Sequence, residues 1–326
     1  MSPSTVSVVV PSYGRAALLE RCVRALDAQR PAPNEVIVVY RADDDPTMRF
    51  VTHWSAEEPA RRRGVVVGRP GLVHALIAGS RAAGHDVVAF IDDDALPMVG
   101  WLGNLLEPFA DPRVGAVGGR IVDYVNGTRV TGRARKVGHV TWYGRIIWGH
   151  TLDTDHEGPV GFAAGANMAI RRDLVRFDPR LLHTFNGHAM ANDSDACLGV
   201  WRAGYRVVYR PHAVVEHRAT SFRDPKLGSR VTGDGVVVSA ANHTYALLKH
   251  LPLHRRIALR VYGYVIGSAT TPGPVRVMVE LIRKPSLALP MARRVPPAWR
   301  GRLLAERMYR EHRRGEGTHM EAVEVR

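Results

Sequence analysis

Cysteine is scarce in this chain: Cys22 and Cys197 are the two present in 326 residues. They lie far apart in the sequence, and neither belongs to a Cys-x-x-Cys pair, which argues against a disulfide framework and against a cysteine-based zinc site. We therefore expect both to be buried free thiols in a protein of a reducing compartment.

Long apolar runs are also missing. No stretch reaches the roughly 18 apolar residues of a membrane-spanning helix, and the best window, residues 257–269, contains Arg260. Residues 6–10 already have the pattern of a strand, without a basic lead or a cleavage site, so we expect no signal peptide. After this strand the chain has Pro-Ser-Tyr-Gly instead of Gly-x-Gly-x-x-Gly, which argues against a nicotinamide dehydrogenase. We expect a cytoplasmic protein.

The composition is that of a globular protein with an uneven charge distribution. Hydrophobic residues make up 45% and charged residues 23% of the chain. Its length suits one large α/β domain, alone or with an appendage. The net charge is +14, and residues 251–326 hold 15 Lys and Arg against 6 Asp and Glu. Most of the positive excess therefore lies in the last quarter of the chain.

Strand and helix patterns alternate over about the first 120 residues. Such alternation predicts βαβ units and a mostly parallel sheet. Residues 123–160 are irregular and rich in Gly, Arg and aromatics, and we interpret them as loop or antiparallel hairpin structure that covers a site. The predicted strands are 6–10, 36–40, 65–67, 87–91, 114–117, 207–209 and 214–215, and the predicted helices 16–28, 72–83, 101–109, 189–203, 236–250, 255–266, 275–282 and 299–313.

Three consecutive acids, Asp92, Asp93 and Asp94, follow the apolar run at residues 87–91. Adjacent carboxylates repel each other, so the end of a buried strand is a poor place for them without a cation. Mg²⁺ and Mn²⁺ take oxygen ligands and are often shared between carboxylates and the phosphates of a substrate. The pattern favours a metal–phosphate site at the carboxyl edge of an α/β sheet, where such sheets bind ligands. A solvated acidic turn is the alternative.

Two further segments follow the first two predicted strands. Residues 11–15, Pro-Ser-Tyr-Gly-Arg, form a turn that can offer backbone groups to a nucleobase, on which Tyr13 could stack. Asp43, Asp44 and Asp45 could accept hydrogen bonds from a base or a ribose. A helix N-cap before Pro46 explains any one of these acids equally well.

Two acids and one histidine complete the set of candidates. Asp193 and Asp195 open a predicted helix, whose dipole stabilises carboxylates there, and one held ionised could act as a general base. His217 follows a short strand, and a lone histidine is more often structural unless it shares a metal with a carboxylate. Small residues at 161–170 would let the backbone approach a ligand, or simply pack tightly.

In this order, these segments resemble the landmarks of the inverting family 2 glycosyltransferases, which have the GT-A fold. The matching landmarks are Val-Val-Val-Pro-Ser-Tyr-Gly-Arg, Phe-Ile-Asp-Asp-Asp-Ala at the family's Asp-x-Asp position, Gly-Ala-Asn-Met-Ala, and the helix from Asp193 that ends in Trp-Arg-Ala-Gly-Tyr. The resemblance covers residues 6 to about 218. It implies a GT-A-like α/β fold, with a mostly parallel central sheet flanked by helices. It also implies a metal-dependent enzyme that transfers a sugar from a UDP, GDP or dTDP donor to an acceptor hydroxyl.

The resemblance also implies roles for individual residues. Asp92 would face the ribose side of the nucleotide, Asp94 and His217 would hold Mn²⁺ or Mg²⁺ on the diphosphate, and Asp93 could assist in either task. Asp193 would be the general base. The residues bordering the nucleoside would be Pro11, Ser12, Tyr13, Arg15 and Asp44.

The chain departs from the family pattern at two places. Asn192 stands before the base where the family commonly has Glu, which leaves Asp195 as a reserve candidate for the base. The second predicted strand ends in Tyr40 and Arg41, with its acids displaced to residues 43–45. The nucleoside contacts are therefore left open.

Two other functions compete with this interpretation. A sugar nucleotidyltransferase would favour a Gly-rich, Lys- or Arg-bearing phosphate loop near the N-terminus, where only Gly14 and Arg15 are present. The net positive charge of the chain suggests a second alternative, nucleic-acid binding without catalysis. We expect no nucleic-acid partner, because the arginines of the tail lie among apolar residues, a pattern that fits an anionic lipid surface at least as well.

The sequence predicts two parts, a catalytic domain over residues 1–218 and a basic helical region over 219–326. Arginines in this tail alternate with Leu, Ile, Val and Trp, as in amphipathic surfaces that lie on anionic lipid. We expect a peripheral position on the inner face of the plasma membrane, next to a glycan or lipid-linked acceptor. A nucleic-acid surface and a solvated appendage are the alternatives.

Overall fold

The computed structural model describes residues 4–125, 127–183, 190–217 and 233–316. The chain divides into two compact units, each described separately below. The first takes Met1–His139, Ile147–Phe177 and Ala196–Thr220, and the second takes Val140–Ile146, Asp178–Asp195 and Ser221–Arg326. The domain boundary predicted from the sequence, at residues 218 and 219, lies outside the described residues.

Strands and helices are numbered along the chain. The strands are β1 (Val6–Pro11), β2 (Glu35–Arg41), β3 (Arg62–Val67), β4 (Val87–Ile91), β5 (Ala95–Pro97), β6 (Val114–Val125), β7 (Thr128–Arg129), β8 (His139–Val140), β9 (Ile146–Ile147), β10 (Gly158–Val160), β11 (Asn167–Arg171) and β12 (Arg206–His217). The helices are α1 (Ala16–Asp27), α2 (Asp45–Glu57), α3 (Leu72–Ala82), α4 (Trp101–Leu106), α5 (Asn192–Arg202), α6 (Gly233–His250), α7 (Leu253–Val261), α8 (Pro274–Arg283), α9 (Pro285–Ala292) and α10 (Val295–Arg314).

The first unit is built on a sheet with the order β10-β12-β6-β11-β4-β1-β2-β3. β1 pairs in parallel with both β2 and β4, β2 pairs in parallel with β3, and β6 pairs in parallel with β12. β11 is antiparallel to both of its neighbours. Because every residue of β1 and β4 is buried and all except Ser7 are apolar, these strands suit the centre of a sheet covered on both faces. The predicted mostly parallel α/β sheet is confirmed.

One polar side chain organises the middle of this sheet. Asn167, at the start of β11, is fully buried and donates from Nδ2 to the carbonyl oxygens of Arg120 (2.9 Å) and Ala213 (2.8 Å). Its Oδ1 accepts a hydrogen bond from Nε1 of Trp101 at 2.8 Å. Ala213 lies where the pairing of β12 with β6 shifts register, between Arg210 and Val214. Asn167 thus satisfies a carbonyl group that the bulge leaves without a strand partner.

The second unit contains the long helices α6 and α10, which pack closely on each other. Buried Val236, Ala240 and Ala298 form a small apolar cluster between them. Gly301 permits the close approach, because a Cβ there would lie 2.4 Å from the carbonyl oxygen of Val237. α7 continues into a π-helical turn over Tyr262–Ile266.

Several elements differ from the sequence-based boundaries. Asp44 caps and Asp45 begins a helix, α2, that the apolar pattern did not predict. The two short strands predicted at 207–209 and 214–215 form one strand, β12, because the register shift absorbs the residues between them. Residues 123–160 hold the end of β6 and the short strands β7, β8, β9 and β10, in keeping with the irregular pattern.

Candidate active site

The three consecutive acids lie immediately beyond the end of β4, at the carboxyl edge of the parallel strands. The chain turns there, with the amide of Ala95 donating to the carbonyl oxygen of Asp92 at 3.1 Å. It then enters β5, which pairs with β12 so that Ala95 stands opposite His217. This pairing brings His217, which is distant from the acids in the sequence, next to them.

Asp92, Asp94 and His217 converge on one point, with one ligand atom from each lying within 4.8 Å of the other two. Nε2 of His217 is 3.2 Å from Oδ1 of Asp94 and 3.9 Å from Oδ2 of Asp92. Among the described residues, neither Nε2 of His217 nor Oδ1 of Asp94 makes an aligned hydrogen bond, although both atoms are buried. Buried polar atoms left in this state are costly. Two carboxylates and an imidazole around one point fit a divalent cation.

A fourth side chain orients the histidine. Asp123, near the end of β6, stands opposite His217 in the pairing of β6 with β12, and its Oδ1 lies 3.4 Å from Nδ1 of the imidazole. Metal-binding histidines usually donate their second ring N–H to a carboxylate in this way. Asp123 is not among the residues predicted from the sequence. Its one local signal is an acid in the apolar alternation at the end of a predicted strand.

The charges of the cluster are strongly coupled. Burial disfavours a charged imidazole, but the contacts of His217 with Asp123 and Asp94 outweigh burial and raise its pKa to about 10. Burial likewise opposes ionisation of Asp94, but His217 and Arg15 lower the pKa of this carboxyl. The cluster therefore carries a proton on His217, with which a cation would compete for Nε2.

Asp93 points away from this cluster, toward the turn after β1. It is fully buried and accepts a hydrogen bond from Oγ of Ser12 at 2.7 Å. Arg15 joins two of the acids, with its guanidinium 2.6 Å from Asp93 and 2.7 Å from Asp94. Burial raises the pKa of Asp93 to about 7, against the opposing effect of Arg15. The structure thus brings the segment that begins at Pro11 next to the acidic turn.

Asp44 links the turns that follow β1 and β2. It caps α2 by accepting from the amide of Thr47 at 3.3 Å, and it accepts from the amide of Gly14 at 2.6 Å. The capping role that the sequence left open is therefore present, and the contact of Asp44 with a nucleoside stays a prediction. Tyr13 is half exposed, and the guanidinium of Arg41 lies 4.6 Å from the centre of its ring.

In the second unit, Asp193 and Asp195 lie in the first turn of α5. Oδ1 of Asp193 accepts a hydrogen bond from the amide of Ser194 at 2.6 Å. Asp195 is 2% exposed and both of its carboxylate oxygens are engaged, Oδ2 by Lys249 at 2.7 Å and Oδ1 by Nε2 of His250 at 2.9 Å. Asp195 is therefore held in a buried ionic network.

The same network contains Asp178. This carboxylate accepts from the hydroxyl of Tyr245 at 2.6 Å and from Nζ of Lys249 at 2.9 Å. Burial alone would raise the pKa of Asp178, but Lys249 and Tyr245 lower it to about 2. Lys249 thus bridges two buried acids, and no such pairing is visible from the sequence.

Comparison with known proteins points to one family. The profile described as "Glycosyl transferase family 2" matches residues 7–177, just over half of the chain. A pre-mycofactocin glycosyltransferase of Mycobacterium tuberculosis is 28% identical over 234 residues, 67% of this chain and 44% of that protein. The chain thus spans less than half the length of this relative. A glucosyl-dolichyl phosphate glucuronosyltransferase of Haloferax volcanii is 25% identical over 227 residues, 67% of this chain and 70% of that protein.

The solved structures show the same fold. A mannosyltransferase from Pyrobaculum calidifontis, determined in complex with GDP-mannose and Mn²⁺, aligns with a TM-score of 0.57. The alignment covers 95% of this chain and 88% of that protein at 22% identity. This likeness confirms the GT-A-like arrangement predicted from the sequence.

Proposed function

The chain belongs to glycosyl transferase family 2, and we propose that it transfers a sugar from a nucleoside-diphosphate donor to an acceptor hydroxyl, with inversion at the anomeric carbon. One observation carries this proposal. Asp94 and His217 present two buried ligand atoms 3.2 Å apart at the carboxyl edge of the sheet, with Asp92 beside them. The family match favours glycosyl transfer over the sugar nucleotidyltransferase and nucleic-acid-binding alternatives.

Asp94 and His217 would hold Mn²⁺ or Mg²⁺, with Asp92 on the ribose side of the nucleotide. A bound cation there would neutralise charge that develops on the departing nucleoside diphosphate. Asp123 would keep the imidazole of His217 in one orientation, with Nε2 directed at the cation, through its contact at Nδ1.

Arg15, Ser12 and Asp93 would shape the donor side of the site. Arg15 is held by two carboxylates, so its guanidinium is positioned before a donor binds. Asp93 would act by fixing Ser12 and Arg15 in the turn after β1. Pro11, Tyr13 and Asp44 would border the nucleoside, with the half-exposed ring of Tyr13 available for stacking on a base.

Asp193 would remove the proton of the attacking hydroxyl as the general base. Its position in the first turn of α5 favours the ionised form, because the helix dipole stabilises negative charge there. The engagement of both oxygens of Asp195 by Lys249 and His250 supports Asp193 as the base. General-base catalysis of this kind typically contributes about 10²–10⁴-fold to the rate.

The acceptor would be a glycan or lipid-linked hydroxyl, and the donor a UDP, GDP or dTDP sugar. The relative from Haloferax volcanii is named for a dolichyl phosphate substrate, which supports a lipid-linked acceptor. The location would be cytoplasmic, because both cysteines are buried thiols outside any disulfide, as suits a reducing compartment.

A donor screen tests the proposal. The purified chain is incubated with UDP, GDP and dTDP sugars and Mn²⁺, and release of the nucleoside diphosphate is measured with and without a chelator. We expect release from one donor class, lost with chelator and in Asp94→Asn. Release should be retained in Asp173→Asn, which changes an exposed acid just beyond β11. Failure to bind or turn over any donor, or full activity of Asp94→Asn, would contradict the proposed function.

A further inference from the structure

Helix α8 exposes its apolar side to solvent. It has no buried residue, and Val275, Met278, Val279 and Ile282 are all exposed. These positions follow i, i+3, i+4 and i+7 spacing, so they form one stripe, here named the α8 face. Met278 is 65% and Ile282 85% exposed. An amphipathic helix on the surface of a soluble protein normally turns such a stripe toward the core.

One ion pair of α8 lies on its other side. Arg276 and Glu280 form an i,i+4 ion pair at 3.4 Å, and both are half-buried. The helix is therefore oriented with its ion pair toward the protein and its apolar stripe outward. This orientation is the reverse of that expected in water alone, and it indicates that the α8 face is covered in the functional state.

The exposed apolar surface continues beyond α8. α8 packs against the π-helical turn Tyr262–Ile266 and against α9. In α7, Leu253, Ile257 and Val261 recur at every fourth position, and all three are exposed. The other exposed apolar side chains of these neighbouring segments are Val265, Ile266, Leu287 and Leu289.

The charge around the α8 face has one sign. Arg283, Lys284 and Arg293 are exposed and make no ion pair or hydrogen bond through their side chains among the described residues. Residues 253–294 contain eight Lys and Arg but a single acid, Glu280, which Arg276 neutralises. An apolar stripe bordered by unpaired cations complements a surface that is apolar inside and anionic at its rim.

We propose that the α8 face docks on an anionic lipid surface, with Ile282 and Met278 inserted among the acyl chains and Arg283, Lys284 and Arg293 on the headgroups. α8 has 10 residues, about 15 Å of helix, so it would lie in the plane of the interface. In the part of the chain that the structure describes, no helix has the length and hydropathy to cross a bilayer. This proposal is independent of the proposed activity, since no residue of the α8 face and none of its bordering cations has a role in that activity.

Vesicle sedimentation tests the proposal without turnover. The full chain and its Asp94→Asn variant are mixed with vesicles of phosphatidylcholine, either alone or with about 30% phosphatidylglycerol. Each mixture is prepared at low and at high salt. Both proteins should sediment with the anionic vesicles, and binding should weaken at high salt. The double variant Met278→Glu/Ile282→Glu should lose at least tenfold in affinity. Val99→Glu, at a fully exposed valine of the first unit, should bind like wild type.

Removal of the cations tests the electrostatic part separately. Arg283→Gln and Lys284→Gln should each weaken binding about fivefold at low salt, with little effect at high salt. Circular dichroism shows whether each variant keeps its helices. The proposal is overturned if wild type ignores anionic vesicles at low salt, or if the double variant binds as wild type does. It is also overturned if the α8 face instead drives self-association, seen as a dimer that the double variant abolishes.

Discussion

His217 and Asp123 stand opposite each other on two neighbouring parallel strands, with Nδ1 of the imidazole 3.4 Å from Oδ1 of the carboxylate. The contact uses the ring nitrogen that faces away from Asp94, and it leaves Nε2 directed at the acidic cluster. Asp123 therefore controls both the orientation and the charge of a metal-ligand candidate without lying in the cluster itself.

Asp123→Ala should weaken binding of Mn²⁺ by about 10–100-fold, because the imidazole loses the carboxylate that fixes its orientation. Titration calorimetry of the purified chain with Mn²⁺ measures this directly. Asp173→Asn, which changes an exposed acid just beyond β11, is the matched control and should bind as wild type does. Equal Mn²⁺ affinity in Asp123→Ala and wild type would show that the contact has no part in ion binding.

Much of the first unit could be predicted from the sequence because its signals are local. The apolar runs of β1 and β4 and the helical spacing of α1 each identify their own element. The acids at 92–94 and His217 could be proposed as partners only through the family resemblance, since 122 residues lie between Asp94 and His217 and no local pattern links them.

The rest depends on pairings between distant segments. Asp123 reaches His217 only because β6 and β12 pair in one register beyond a bulge, and Asn167 satisfies the carbonyl of Ala213 within that bulge. Lys249 forms ion pairs with Asp178 and Asp195, which are both far from it in the sequence. Such contacts follow from tertiary packing, which hydropathy patterns do not encode.

Gly119→Ala should destabilise the first unit strongly. A Cβ at Gly119 would lie 2.0 Å from the carbonyl oxygen of Ala213 and 2.4 Å from Nδ2 of Asn167, so the bulge would have to open. We expect a loss of about 2–4 kcal/mol in the free energy of unfolding, from overpacking and a lost hydrogen bond. Urea unfolding measures the loss.

Gly68→Ala is the matched control, because no atom lies within 4 Å of a Cβ built there. Its stability should equal or slightly exceed that of wild type, since alanine restricts the unfolded chain. Unchanged stability of Gly119→Ala would mean that the bulge is less tightly packed than the structure shows.

The stability of the second unit should fall in acid through Asp178. Its folded pKa of about 2 lies below the usual 3.8, so its contribution is fully present above pH 4 and is lost as the pH falls toward 2. This shift corresponds to about 2 kcal/mol. Urea unfolding should therefore show that Asp178→Asn is less stable than wild type at pH 5. At pH 3 the difference between their free energies of unfolding, the stability gap, should be smaller by about 1 kcal/mol. A gap that does not change with pH would refute the assignment.

Asp193→Asn and Asp195→Asn should separate catalysis from stability. Asp193→Asn keeps an acceptor for the amide of Ser194 but loses a basic oxygen, so turnover should fall by about 10²–10⁴-fold with little change in unfolding. Asp195→Asn removes the charge that pairs with Lys249 in a buried site, and should cost about 3 kcal/mol of stability. The two measurements are initial rates at saturating donor and urea unfolding. If Asp195→Asn abolished turnover at full stability while Asp193→Asn stayed active, the base would be Asp195.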